Sequence, residues 1–240
     1  MSEAPEHLVK SYDQELNRLR NLMTQMGGIV ETQVALAADA IMQRDAASAT
    51  RAVEEDPKVD ALEREVETFV IRLLALRQPV AGDLRQIVTA LKITGDLERI
   101  GDYAANVAKR SIVLAQFSLP YSLAGFAHMA RMVQGQLKLI IDALGDNDAE
   151  KAMEVWRSDQ VVDDIYNAIF RELITYMMED PRNITPCTHL LFIAKNLERI
   201  GDHATNIAET LYYVVKGESL PESRPKGDTS AYAVVRRPRE

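Results

Sequence analysis

Apolar residues recur at threes and fours along nearly the whole chain, a spacing that predicts long helices and no strand. The first run holds Leu8, Tyr12, Leu16, Leu19, Leu22, Met23, Met26, Ile29, Val30, Val34 and Ile41 on one face, a helix over about 5–44. Gly27 and Gly28 fall inside it, and each costs about 1 kcal/mol against alanine, so a bend or a close helix contact is expected there. Asp45 is placed to cap a second helix reaching about Arg77, with Pro57 as a potential kink. Pro79 and Gly82 mark a hairpin, Asp83 is the expected cap, and a third helix runs to about Phe117. After Ser118-Leu119-Pro120 the same plan restarts, with helices over about 123–144, 148–179 and 183–216. From Gly217 the chain turns to Pro, Gly, Ser and charge without helical period, which predicts a flexible tail over 217–240.

The restart is a duplication. Leu97 to Asp102 and Leu197 to Asp202 both read LERIGD, 100 residues apart, and Ile93, Asn106 and Ala108 fall on Ile193, Asn206 and Ala208. Upstream, the run from Asp56 (DPKVDALE) matches that from Asp159 (DQVVDDIY) at an offset of 103. The three residues are lost where RQPVAGD and MEDPRNIT stand, in a turn, so the helices of both copies stay whole. The expected architecture is all-α, two tandem three-helix bundles over 1–118 and 119–216, six helices in total.

Composition narrows the function. At 47% apolar, 27% charged and 6% aromatic residues the chain is globular and helix-prone. A net charge of −8 argues against nucleic acid and anionic lipid as partners and makes cations the natural ligand. One cysteine, Cys187, excludes an internal disulfide and a multi-cysteine zinc site. With no apolar run of signal-peptide or membrane-span length, the expected location is the cytoplasm, without membrane insertion.

The candidate chemistry lies in carboxylates four residues apart: Asp56 and Asp60, Glu98 and Asp102, Asp159 and Asp163, Glu198 and Asp202. On a helix each pair shares one face, where like charges repel by a few tenths of a kcal/mol (~0.2–0.5) unless a cation offsets them. Folding each hairpin about its turn sets Asp60 level with about residue 99 and Asp163 level with about residue 199, so two pairs meet in each half. Such hard oxygen donors, with Asn106 and Asn206 one turn on, suit magnesium, manganese or iron, and the expected ligand is a divalent or trivalent metal ion, iron, manganese, magnesium or zinc. A solvated acidic face is the plain alternative, and the fourfold recurrence at matched heights favours metal. On a helical wheel Glu98 and Asp102 sit well away from the stripe of Ile93, Leu97, Ile100, Ala104 and Val107, which places the site outside the bundle.

Gly101 and Gly201 break helix propensity between each Glu and Asp, which suggests a close approach to the backbone. Arg99 and Arg199 either flank the carboxylates or face solvent. His203 is a weaker candidate ligand, since Tyr103 replaces it in the first copy; Trp156, Met153, Met177 and Met178 read as core filler. No Gly-rich phosphate loop, nucleophile elbow or H-E-x-x-H motif is present.

At DLERIGDYAANVA and NLERIGDHATNIAE, with DPKVD and DQVVD as companions, the sequence resembles the PhoU family over about residues 8–216. The resemblance implies a non-enzymatic regulator of phosphate uptake, metal bound at the acidic pairs, and negative control of the phosphate regulon. It also implies contacts with the ATPase subunit of the phosphate ABC transporter and with a sensor histidine kinase, and a homodimer as the assembly. The alternative, a ferritin-like di-metal oxidoreductase or metal store, usually needs Glu-x-x-His pairs facing a bundle core, and this chain has none.

Overall fold

The computed structural model describes residues 4–79, 81–117, 119 and 122–220. Among them the chain forms six α-helices and a short 3-10 turn, with no strand: α1 Ala4–Met42, α2 Ala46–Arg77, α3 Ala81–Leu114, α4 Ala124–Asp146, α5 Ala149–Glu179 and α6 Ile184–Lys216. The 3-10 turn, Pro181–Asn183, links α5 to α6. Ser118 and Pro120, at the expected break, and the tail beyond Leu220 lie outside the described residues.

Local chemistry sets the helix ends. The Asp45 carboxylate accepts the N–H groups of Ala47 and Ser48, and Asp148 does the same for Glu150 and Lys151, so each copy satisfies two otherwise orphaned donors. Asp83 is not a cap: α3 begins at Ala81, which leaves Asp83 in the first turn, where its charge still complements the helix dipole. Gln78, Asn147 and Gly217 end their helices in the left-handed conformation. Helix α2 passes through Pro57 unbroken.

Helices α1, α2 and α3 pack on one another, α4, α5 and α6 do likewise, and the two bundles meet through α3 on α6 and α1 on α4. Arg85 near the start of α3 stacks on Tyr213 near the end of α6, and Arg110 stacks on Phe192, so these helices run antiparallel. One apolar core draws on all six helices. Leu97, Ile100, Leu197 and Ile200 of the repeated hexapeptide are each 1% exposed or less. Trp156 is buried and donates its indole N–H to Glu209, and Met153 and Met177 pack on the core, but Met178 is exposed instead of filling it.

Of the adjacent glycines in α1, a Cβ on Gly27 would stand 3.1 Å from Ile141 of α4, whereas one on Gly28 would meet nothing within 4 Å. Gly27 is therefore the close helix contact, and Gly28 only carries the entropic cost of glycine in a helix. Gly28→Ala is expected to stabilise the protein by about 0.5–1 kcal/mol, and Gly27→Ala to give back that gain through crowding; urea unfolding of both variants checks the contrast.

Candidate metal centre

The antiparallel pairing of α2 with α3 sets Asp56 and Asp60 level with Asp102 and Glu98, the heights expected from the hairpin. Val59 lies 3.4 Å from the Cβ position of Gly101, and Glu63 lies 4.0 Å from that of Gly95, which fixes the register and sets Asp60 level with residue 99. The carboxylates act on one another. Burial, then the charge of Asp102, push the Glu98 carboxyl up to about 7 against the pull of Arg99, with Glu63 and Asp60 adding to the rise. Burial also raises Asp56, an effect reduced by a hydrogen bond from Gln33 and reinforced by Asp102, and burial raises Glu63, with Glu67 and Asp60 next. Arg99 leans across the pair, 3.2 Å from Asp102 and 3.5 Å from Glu98, but at 58% side-chain exposure it screens them only weakly.

In the second half Val162 approaches Gly201 and Thr205 of α6 reaches Asp159 of α5 at 3.2 Å, so the same helices meet at nearly the same register. Here the site is not outside the bundle. Asp159, Asp163 and Glu198 are only 3–4% exposed, and Asp202 is half-buried. The wheel marks the apolar stripe but not what covers the flank beside it: in the second half Lys195, over the Tyr166 ring, pairs with Glu198 at 2.8 Å, and Thr205 reaches Asp159. The first site is intermediate: Glu98 keeps 20% side-chain exposure and Asp102 40%.

The close approach at the glycines is made by two glutamines. Gln33 of α1, fully buried, gives its amide N–H to Asp56 at 3.1 Å and places Oε1 3.0 Å from the Cβ position of Gly101. Gln136 of α4 places its Oε1 3.2 Å from that of Gly201, while its N–H goes to Ser158. Both Oε1 atoms are buried without a hydrogen-bond partner. Their numbers differ by 103, the offset of the upstream repeat, so the repeat itself carried the signal for them.

Other candidates do different work. The Nδ1 atom of His203 lies 2.7 Å from Asp96 of the first half, and its ring lies against Tyr103, so it ties α6 to α3. Asn206 reaches the same Asp96 oxygen at 3.5 Å; Asn106 is exposed, as is His128. Cys187 is buried.

Among the described residues, no three acidic, histidine or cysteine side chains are gathered so that they hold an ion as they stand. The donor set nevertheless fits a hard cation. Carboxylates whose charge is disfavoured by burial and by one another, next to an amide oxygen with no partner, gain most from an added positive charge. They supply oxygen only, which matches magnesium, manganese and iron better than zinc.

Comparison with known proteins agrees with this architecture. A PhoU domain matches residues 23–111 and 126–211. A phosphate-specific transport system accessory protein PhoU homolog of Caulobacter vibrioides is 52% identical over 93% of this chain and 97% of its own; that of Rhizobium meliloti is 46% identical over 94% and 95%. The crystal structure of PhoU from Pseudomonas aeruginosa matches at TM-score 0.84 and 40% identity, covering 86% of this chain and all of that one. The phosphate transport system regulatory protein PhoU from Streptococcus pneumoniae matches at 0.81 and 29%, covering 88% and all of that chain. With the domain matched in both halves and relatives this similar over nearly its whole length, this chain belongs to the PhoU family.

Proposed function

We propose that this protein regulates phosphate uptake as a metal-binding adaptor: it works by being held by partners, and it turns over no substrate. The relatives' names, accessory or regulatory proteins of phosphate transport systems, support the role. The observation that carries the metal reading is the meeting of two acidic pairs at the same level in each half, against a glycine and a buried amide oxygen. On this reading Asp56, Asp60, Glu98 and Asp102 hold ions in the first half, and Asp159, Asp163, Glu198 and Asp202 hold them in the second. The bound cation supplies positive charge. The chain's own residues orient the carboxylates, with Gln33 and Gln136 bracing the first aspartate or its neighbour and Arg99 spanning the rim.

The finer parts of the proposal follow the family: negative control of the phosphate regulon from the cytoplasm, through contacts with the transporter's ATPase subunit and the sensor histidine kinase, in a homodimer. No described helix is long and apolar enough to cross a membrane, so on this reading attachment to the transporter goes through protein contacts. Partner choice would then shift with metal occupancy, because an ion that binds one surface conformation better favours it.

The test is the double variant Glu98→Ala with Asp102→Ala. At saturating metal its content is expected to fall by about half, as for two independent sites, while the helical circular dichroism stays at the wild-type level. An unchanged stoichiometry would count against the assignment. Oxygen uptake with Fe²⁺ at the buffer rate separates the adaptor from a ferritin-like oxidoreductase.

A further inference from the structure

The two halves differ where their acidic pairs meet. Position 95 is Gly and its repeat partner 195 is Lys; position 63 is Glu and its partner 166 is Tyr. In both copies these two positions face each other: a Cβ on Gly95 would find Glu63 Oε1 4.0 Å away, and Lys195 Nζ stands 4.9 Å from the Tyr166 ring centre. From there the ammonium reaches Glu198 Oε1 at 2.8 Å, pairing with a carboxylate only 4% exposed. An ammonium between an aromatic face and a buried carboxylate is held by both.

In the first half the same space holds one carboxylate more and, at position 95, no side chain; the half-exposed Arg99 pairs with Glu98 at 3.5 Å as Arg199 does with Glu198 at 3.9 Å, and Glu98 stays open to solvent at 20%. At the other end the charges are exchanged in the opposite sense, and that exchange acts on Asp56 and on Trp156, away from Glu98 and Glu198. Lys109 attracts Asp56 at the other end, where the second half has Glu209 bonded to Trp156. A separate sign that the first cradle takes a ligand is Gln33, which is 0% exposed, bonded to Asp56, and leaves its Oε1 unpartnered beside Gly101; Gln136 repeats this beside Gly201, so the halves differ in Lys195 and not in the glutamine.

Resting on the reading of these clusters as cation sites, we propose that Lys195 is a tethered cation. Its ammonium fills, in the second cradle, a place for which the first must take a metal ion from solution. The halves therefore bind metal unequally, and the first binds it more tightly. The exchange of Glu63 and Gly95 for Tyr166 and Lys195 acts as one unit, since the ring seats the ammonium and the lost carboxylate lowers the charge to be offset.

Manganese(II) titrated into the metal-free 240-residue chain tests this, with the electron paramagnetic resonance signal of the free ion reporting what stays unbound. The wild type is expected to show a tight and a weak class of site. Gly95→Lys, for which the structure has room at Cβ, should weaken the tight class at least about tenfold, and Lys195→Met should tighten the weak class by a similar factor. Without metal, Gly95→Lys should raise the melting temperature and Lys195→Met lower it. Equal affinity in both halves, unmoved by either variant, overturns the inference and leaves the metal reading standing. Absence of manganese binding in the wild type overturns the metal reading and the inference with it, and melting temperatures that neither variant moves remove the tethered cation by themselves.

Discussion

Glu98→Gln is expected to make the metal-free protein more stable than wild type at pH 8 and no more stable at pH 4. The sign comes from linkage. The Glu98 carboxyl titrates near its ordinary 4.5 in the unfolded chain and at about 7 in the folded one. Between those values the folded state holds the extra proton, so wild-type stability falls as pH rises through the window, and the full cost is present above about 7. Glutamine mimics the protonated acid and removes that slope. Screening at a partly exposed carboxylate reduces the effect to about 1–2 kcal/mol, or some 2–8 °C in melting temperature for a chain of this size. Saturating manganese should reverse the order at pH 8, because the wild type keeps the anionic ligand that the variant has lost. Thermal unfolding of both proteins across pH 4–8, with and without manganese, provides the comparison; parallel curves would remove Glu98 as the strained acid.

Gly101→Leu is expected to cost about 3 kcal/mol or more, or to prevent folding, although leucine is the better helix former. A Cβ alone would stand 3.0 Å from Gln33 Oε1 of α1 and 3.4 Å from Val59 of α2, both of them buried, and the rest of a leucine side chain would add to that crowding. Gln33 would lose its seat, and Asp56 the hydrogen bond that Gln33 supplies. Gly101→Ala should cost less, since the helix gain of about 1 kcal/mol opposes the crowding. Urea midpoints ordered wild type, then alanine, then leucine would support this account, and a leucine variant as stable as wild type would refute it.

The fold was readable because local signals and the repeat agree. The spacing of threes and fours located six helices, and Asp45 and Asp148 cap theirs as the sequence suggests. Asp83 misled because Ala81 and Gly82 already join the helix, and no residue pattern separates a cap from a first-turn acid there. Hairpin arithmetic placed Asp60 against residue 99, and the glycines announced a close neighbour. What a wheel cannot show is which side chains cover a flank: Lys195 over the Tyr166 ring pairs with Glu198 and Thr205 reaches Asp159, and Asp159, Asp163 and Glu198 lie buried where an outer face was expected. The neighbour's identity was hidden because Gln33 and Gln136 come from helices far off in sequence, and only the shared offset of 103 ties them to the site.

The most direct test of the claim that both acidic cradles take cations is an anomalous difference map from crystals grown with manganese and without chelator. The account predicts peaks between α2 and α3 and between α5 and α6, at oxygen-ligand distances of about 2.0–2.6 Å from the paired carboxylates, with the first-half peak the stronger. A map without a peak at either pair, from crystals whose helices superpose on those described above, would contradict it.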